Sequence, residues 1–214
     1  MKSRVVFLIS AALVVTAGCS NTSSDAVESD VSPISCTSTT VIDGPVNIAT
    51  TVAPITSIIA NIAGGTDATI NGIVPEGTNS HTFEPPPSAA EVMTTADIVF
   101  INGLQLEEPT KELAEANLAD DVPLVELGDE TIRPDQYKYD FSFPESDGKP
   151  NPHLWTDPTL VKVYAGLIRD TMVGVDPDGE SFYDTNFTAF SSLVDEFDEV
   201  IAATFDTIPV DQRK

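Results

Sequence analysis

The sequence predicts an α/β fold: an N-terminal doubly wound parallel-sheet lobe followed by a long spine helix. Three observations carry this. From residue 46 onward, short β-prone runs alternate with helical apolar periods. The run Asp97 to Ile101 (DIVFI) has a continuous apolar centre, as strands buried on both faces do. From Glu180 to Thr207 one helical period persists through Tyr183, Phe187, Phe190, Leu193, Val194, Phe197, Val200, Ile201 and Phe205. At 1.5 Å per residue such a helix is about 40 Å long, more than one small sheet lobe covers. A spine of that length should contact a second body, and only Ile208 to Lys214 follow it. The expectation is therefore that a second lobe is missing from this chain.

The elements follow in order. Val46 to Val52 reads as a strand. Pro54 opens a helix with Ile55, Ile58, Ile59 and Ile62 on one face, closed by Gly64 and Gly65. Ala68, Ile70, Gly72 and Val74 alternate as a second strand. After the loop PEGTNSHTFEPPP, Ser88 and Glu91 have capping-box spacing at a helix start. The DIVFI strand ends at Asn102 and Gly103. A helix over about Thr110 to Ala119 and a strand over Val122 to Leu127 come next. Residues 128–150 read as a polar loop. Asp157 and Pro158 then cap and open a helix with Leu160, Val163, Tyr164, Leu167, Ile168 and Met172 inward, broken at Asp176 and Pro177.

The expected organisation is a signal peptide over 1–18, a lipidated Cys19 and flexible tether over 19–45, an N-terminal lobe over 46–179, an interlobe helix over 180–208, and the start of the absent lobe over 209–214. Lys2 and Arg4, the apolar run Val5 to Val15, and Thr16, Ala17 and Gly18 before Cys19 have the order of an export signal. Small residues ending at a Cys resemble a bacterial lipobox, in which the Cys19 thiol carries lipid. With Cys19 lipidated, Cys36 has no partner within the chain. Residues 20–45 are rich in Ser, Thr, Asp and Pro and read as a tether. The chain carries 34 Asp+Glu against 10 Lys+Arg, a formal charge of −24. That excludes nucleic acid, whose phosphates need Lys and Arg, and is compatible with attracting cations.

The chemistry rests on two histidines, His81 and His153. Each has Asn two residues before it (Asn79, Asn151), an aromatic two residues after (Phe83, Trp155), and then an acid followed by Pro (Glu84-Pro85, Asp157-Pro158). His81 follows a predicted strand, at the sheet edge where open α/β folds bind ligands. Neutral imidazole is the commonest metal ligand, so the twin context points to a metal. Glu84 is a candidate to orient an imidazole N–H. Asp157 reads as a helix cap, and Glu107 and Glu108 as acids at a helix start.

The stretches VNIATTVAPITSIIANIAGG, IVPEGTNSHTFEPPPSAAEVMTTADIVFINGLQLE and NPHLWTDP, in that order and spacing, resemble the zinc/manganese solute-binding lipoproteins of bacterial ABC importers. The resemblance covers about residues 46–214. It implies a two-lobed clamp joined by one long helix, with the metal between the lobes. It implies that His81 and His153 are the first two metal ligands, that the cargo is Zn2+ or Mn2+, and that the partner is an ABC permease in the membrane. The family's third and fourth ligands lie beyond the region matching Lys214, so the site is expected to be incomplete here. The His-rich loop of many zinc-specific members has no counterpart in residues 128–150.

The competing readings are weaker. No H-E-x-x-H, G-x-S-x-G or Cys–His spacing suggests an enzyme. A surface lipoprotein acting in adhesion or partner binding would use the acidic surface and need no complete metal site.

Overall fold

The computed structural model describes residues 40–213. The signal, Cys19 and Cys36 lie outside them. Four parallel strands, β1 (Asn47–Thr50), β2 (Thr69–Gly72), β3 (Ile98–Ile101) and β4 (Leu124–Glu126), form one sheet in the order β2-β1-β3-β4. In register, Ile48 faces Ile70 and Ile98, while Val99 faces Leu124. Helix α1 (Ala53–Ile62) links β1 to β2. Helix α2 (Ser88–Thr94) then carries the chain back across to β3, and α3 (Glu108–Asn117) links β3 to β4. Strand order reverses between β1 and β3, so the crevice at their carboxyl ends is the fold's natural binding position.

Side-chain alternation along the strands sorts the core into two faces. Val46, Ile48, Ile98 and Phe100 pack with the α1 isoleucines Ile55, Ile58, Ile59 and Ile62. Tyr164, Leu167, Ile168 and Met172 of α5 (Pro158–Val175) join the same layer. Ala49, Val99 and Ile101 face the other way, against Ala89 and Met93 of α2 and Ala114 of α3. Each buried aliphatic side chain contributes about 1.5–3 kcal/mol. Helix-covered faces on both sides explain why β3 is apolar at every position.

Several elements differ from the sequence expectation. The strands are shorter, because the pleated pairing ends where the chain turns into helices and loops. Leu127 leaves β4 to start a short helix, α4 (Leu127–Thr131), inside the stretch expected to be loop. The helix α3 starts at Glu108, two residues early, since Pro109 fits its first turn. The Ser88–Glu91 capping box does not form. Pro87 is already helical (φ −54°, ψ −27°), which places Ser88 inside the first turn without a side-chain cap. Asp157 does cap α5, accepting from the Thr159 N–H.

The spine α6 (Glu180–Asp206) has 27 residues. Its first half is seated. Tyr183 is buried, Phe187 and Phe190 pack on the core, and Arg169 of α5 lies over the Phe187 ring. Asn186 Nδ2 donates to the carbonyls of Ile62 and Gly64, capping the end of α1. Beyond Phe190 the helix leaves the core. Leu193, Phe197, Val200 and Phe205 are 57–62% exposed.

Candidate metal centre

The two histidine loops converge. His81 sits in a single 3-10 turn after β2, and His153 immediately precedes another before α5. Their Nε2 atoms are 3.1 Å apart. Two nitrogens bound to one tetrahedral zinc at 2.0–2.1 Å stand about 3.3 Å apart, so the observed separation suits a shared cation. The twin Asn residues do the same local work. Asn79 Oδ1 accepts the His81 N–H and Asn151 Oδ1 accepts the His153 N–H, each at 3.1 Å. Each Asn therefore folds its histidine back into a tight turn.

Asn151 does more. Its Oδ1 lies 2.7 Å from His153 Nδ1, and its Nδ2 donates to Asp140 Oδ2 at 2.8 Å. A carboxylate only accepts, so the amide nitrogen must face Asp140 and the amide oxygen must face the ring. His153 Nδ1 then carries the proton, and Nε2 presents its lone pair. Burial, and next the neighbouring His81, hold the His153 pKa below the usual histidine value, against a smaller pull from Asp140. That shift favours the neutral, ligand-competent form of the ring.

Aromatic rings wall the pair. Phe143 lies 5.6 Å from His81 and 5.4 Å from His153 between ring centroids, and Trp155 packs on His153 at 5.1 Å. Glu84 is exposed, and no hydrogen bond among the described residues ties it to either imidazole. At His153 the ring contact is made by Asn151, which sits two residues before the ring on the same turn. Among the described residues no third His, Cys, Asp or Glu joins the two histidines.

A buried polar network lies beneath the site, at the crevice between β1 and β3. Glu107 stands at the start of α3, as expected from sequence, but its side chain turns inward and is 3% exposed. Its Oε1 accepts from Thr51 Oγ1 at 2.6 Å and from the Asn102 N–H at 2.7 Å, which joins the ends of both strands. Its Oε2 has no partner among the described residues. Burial pushes this carboxyl up to about 7, against the hydrogen bonds that lower it. Asn102 Nδ2 donates to the Pro152 carbonyl at 3.0 Å, and Tyr164 Oη donates to Asn102 Oδ1 at 2.9 Å. The turn that folds Glu107 inward is strained. Gly103, Leu104 and Gln105 all have positive φ (76°, 52° and 60°), at about 1–2 kcal/mol for each non-glycine. The Leu104 N–H donates to Asp129 Oδ2, and buried Leu104 and Leu106 help hold the turn.

Comparison with known proteins places this geometry. The manganese-binding lipoprotein MntA of Halalkalibacterium halodurans is 36% identical over 166 residues, covering 78% of this chain and 52% of the relative. The manganese ABC transporter substrate-binding lipoprotein PsaA of Streptococcus pneumoniae is 28% identical over 172 residues, covering 78% and 53%. The Cd-bound periplasmic metal binding protein of Candidatus Liberibacter asiaticus superposes with a TM-score of 0.60 at 26% identity, over 69% of this chain and 52% of that one. The periplasmic zinc binding protein TroA of Treponema pallidum shares the fold with a TM-score of 0.68 at 22% identity. This chain spans about half the length of the curated relatives it matches. The family described as ZnuA, zinc-uptake complex component A periplasmic, matches residues 48–214, and the chain belongs to it.

Proposed function

We propose that this chain captures a divalent transition metal, Zn2+ or Mn2+, outside the cytoplasm on His81 and His153 and delivers it to the permease of an ABC importer, held to the membrane by lipid on Cys19. The observation that carries the reading is the 3.1 Å approach of two imidazole Nε2 atoms from loops 72 residues apart. Family membership and relatives named as metal-binding lipoproteins support it. No helix among the described residues is long and apolar enough to cross a membrane. Capture and release break no covalent bond, so the role is that of a binding protein rather than an enzyme.

Two imidazoles fill half of a tetrahedral zinc shell, with water in the other positions. Binding by this pair alone is therefore weak for Zn2+ and weaker for Mn2+, following the Irving–Williams order. Competition of the full chain against a chromophoric chelator tests this beside the His81→Ala/His153→Ala double variant. The expected result is Zn2+ binding above Mn2+ binding in the wild type, and loss of both in the variant. Equal affinity of the two proteins refutes the site.

A further inference from the structure

We infer that Asp140 is the positioning residue of the metal centre: one exposed carboxylate that sets the orientation and tautomer of His153 through Asn151 and seats Phe143 against both imidazoles. This rests on the reading of His81 and His153 as the metal ligands.

The two oxygens of Asp140 serve different partners. Oδ2 accepts from Asn151 Nδ2 at 2.8 Å. That bond and the His153 backbone N–H, which needs an acceptor, together fix which end of the amide meets His153, because the two ends differ only in hydrogen bonding. With Nδ2 facing the carboxylate, Oδ1 takes the His153 backbone N–H and the ring Nδ1–H. Free histidine has no such constraint. Here the proton is confined to Nδ1, leaving Nε2 open toward His81 and any shared cation. In the metal-free protein, His81 can then donate its Nε2–H across the 3.1 Å gap, and a cation would take that place once His81 shifts its proton to Nδ1 and frees the Nε2 lone pair.

The other oxygen builds the wall. Oδ1 accepts from the Ser142 N–H at 2.7 Å and the Phe143 N–H at 3.1 Å, while the Asp140 N–H donates to the Phe143 carbonyl at 3.0 Å. These bonds close a tight turn whose last residue is Phe143, the ring lying against both histidines. The Asn151 N–H donates to the Lys138 carbonyl and ties the two ends of the segment together. The donors around Asp140, with the Ser142 N–H foremost, hold its carboxyl below the usual range, so it remains the acceptor this arrangement needs.

Asp140→Asn separates this role from simple loop stability. The substituted amide has one acceptor oxygen for two sets of donors. It satisfies either the turn or Asn151 Nδ2, and the other contact becomes donor against donor. If the turn keeps the oxygen, Asn151 is pressed either to flip, giving up the His153 backbone N–H and offering Nδ2 to the ring, which puts the proton on Nε2, or to leave the ring altogether.

The test is nitrogen-15 NMR of the histidine rings in the metal-free full chain, together with Zn2+ affinity, for wild type, Asp140→Asn and the loop control Glu145→Gln. Wild type and the control are expected to show His153 as the Nδ1–H tautomer. Asp140→Asn is expected to populate Nε2–H and to bind Zn2+ about 10–100-fold more weakly, the usual effect of losing a partner behind a ligand. Nε2–H in the wild type overturns the inference, as does a variant with unchanged tautomer and affinity. The two readings fail separately. Undiminished Zn2+ binding by the His81→Ala/His153→Ala variant refutes the metal site, whereas lost binding there with an unmoved His153 tautomer in Asp140→Asn refutes the positioning role alone.

Discussion

Asn102, the first residue after β3, donates its side-chain N–H to the carbonyl of Pro152, the residue before His153. The bond spans 50 residues of sequence and anchors the second histidine loop to the carboxyl edge of the sheet. The Asn102 amide cannot flip without loss. Its nitrogen meets the Gly103 and Pro152 carbonyls, and its oxygen meets the Tyr164 hydroxyl.

Asn102→Ala is expected to lower stability by about 2–4 kcal/mol, because it leaves buried polar partners unsatisfied. It should also weaken Zn2+ binding by releasing the His153 loop. Tyr164→Phe removes only the hydroxyl, and is expected to lose about 1 kcal/mol with metal binding unchanged. Denaturant titration and chelator competition on the two variants check this. Equal effects on metal affinity would refute the anchoring role of Asn102.

Glu107 makes stability depend on pH in an unusual direction for a carboxylate. Its folded-state pKa is raised from 4.5 to about 7, so the folded chain holds this proton more tightly than the unfolded chain. The stability it contributes is fully present below about pH 4.5 and is lost as pH rises through about 7. The shift corresponds to about 3 kcal/mol. Glu107→Gln removes this titration while keeping an acceptor for Thr51 and Asn102. The stability of the wild type relative to the variant should therefore fall between pH 4.5 and 8. Parallel profiles by thermal or urea unfolding would show that burial does not hold the proton.

The two halves of α6 should respond differently to truncation. Tyr183 is fully buried and donates to Asp176 at 2.6 Å. Tyr183→Ala is expected to cost about 3–5 kcal/mol. Phe197, at 61% exposed, should cost under about 0.5 kcal/mol as Ala. An exposed apolar stripe favours association, so the full chain should self-associate with concentration. Leu193→Asp/Phe197→Asp should reverse this in sedimentation. Identical monomers for both proteins would refute it.

Much of the fold was legible in the sequence. The apolar centre of β3 requires cover on both faces, and the 3.6-residue period of Ile55, Ile58, Ile59 and Ile62 requires one buried helix face. Neither pattern needs long-range information. The length of α6, more than one sheet lobe covers, likewise follows from its continuous apolar stripe. The histidines stood out because their twin Asn spacing is a local turn device, set by bonds between residues two apart.

The rest depended on where distant loops meet. Ser88 matches a capping box by spacing, yet Pro87 had already adopted helical angles, so the cap position was taken. Glu107 looks like an ordinary acid at a helix start. Only the positive-φ turn at Gly103, Leu104 and Gln105 folds it into the crevice between two strand ends, where desolvation governs its proton. Asp140 and Phe143 carry no spacing signal, since they work on rings contributed by other loops. The sequence by itself determined most of the elements, their buried faces and the twin turns that carry the two imidazoles, because those follow from periodicity and local hydrogen bonding. The tertiary structure alone decided which carboxylate is buried, which amide orients His153 and how closely the histidines approach. Those properties arise from desolvation and from hydrogen-bond geometry between segments far apart in the chain.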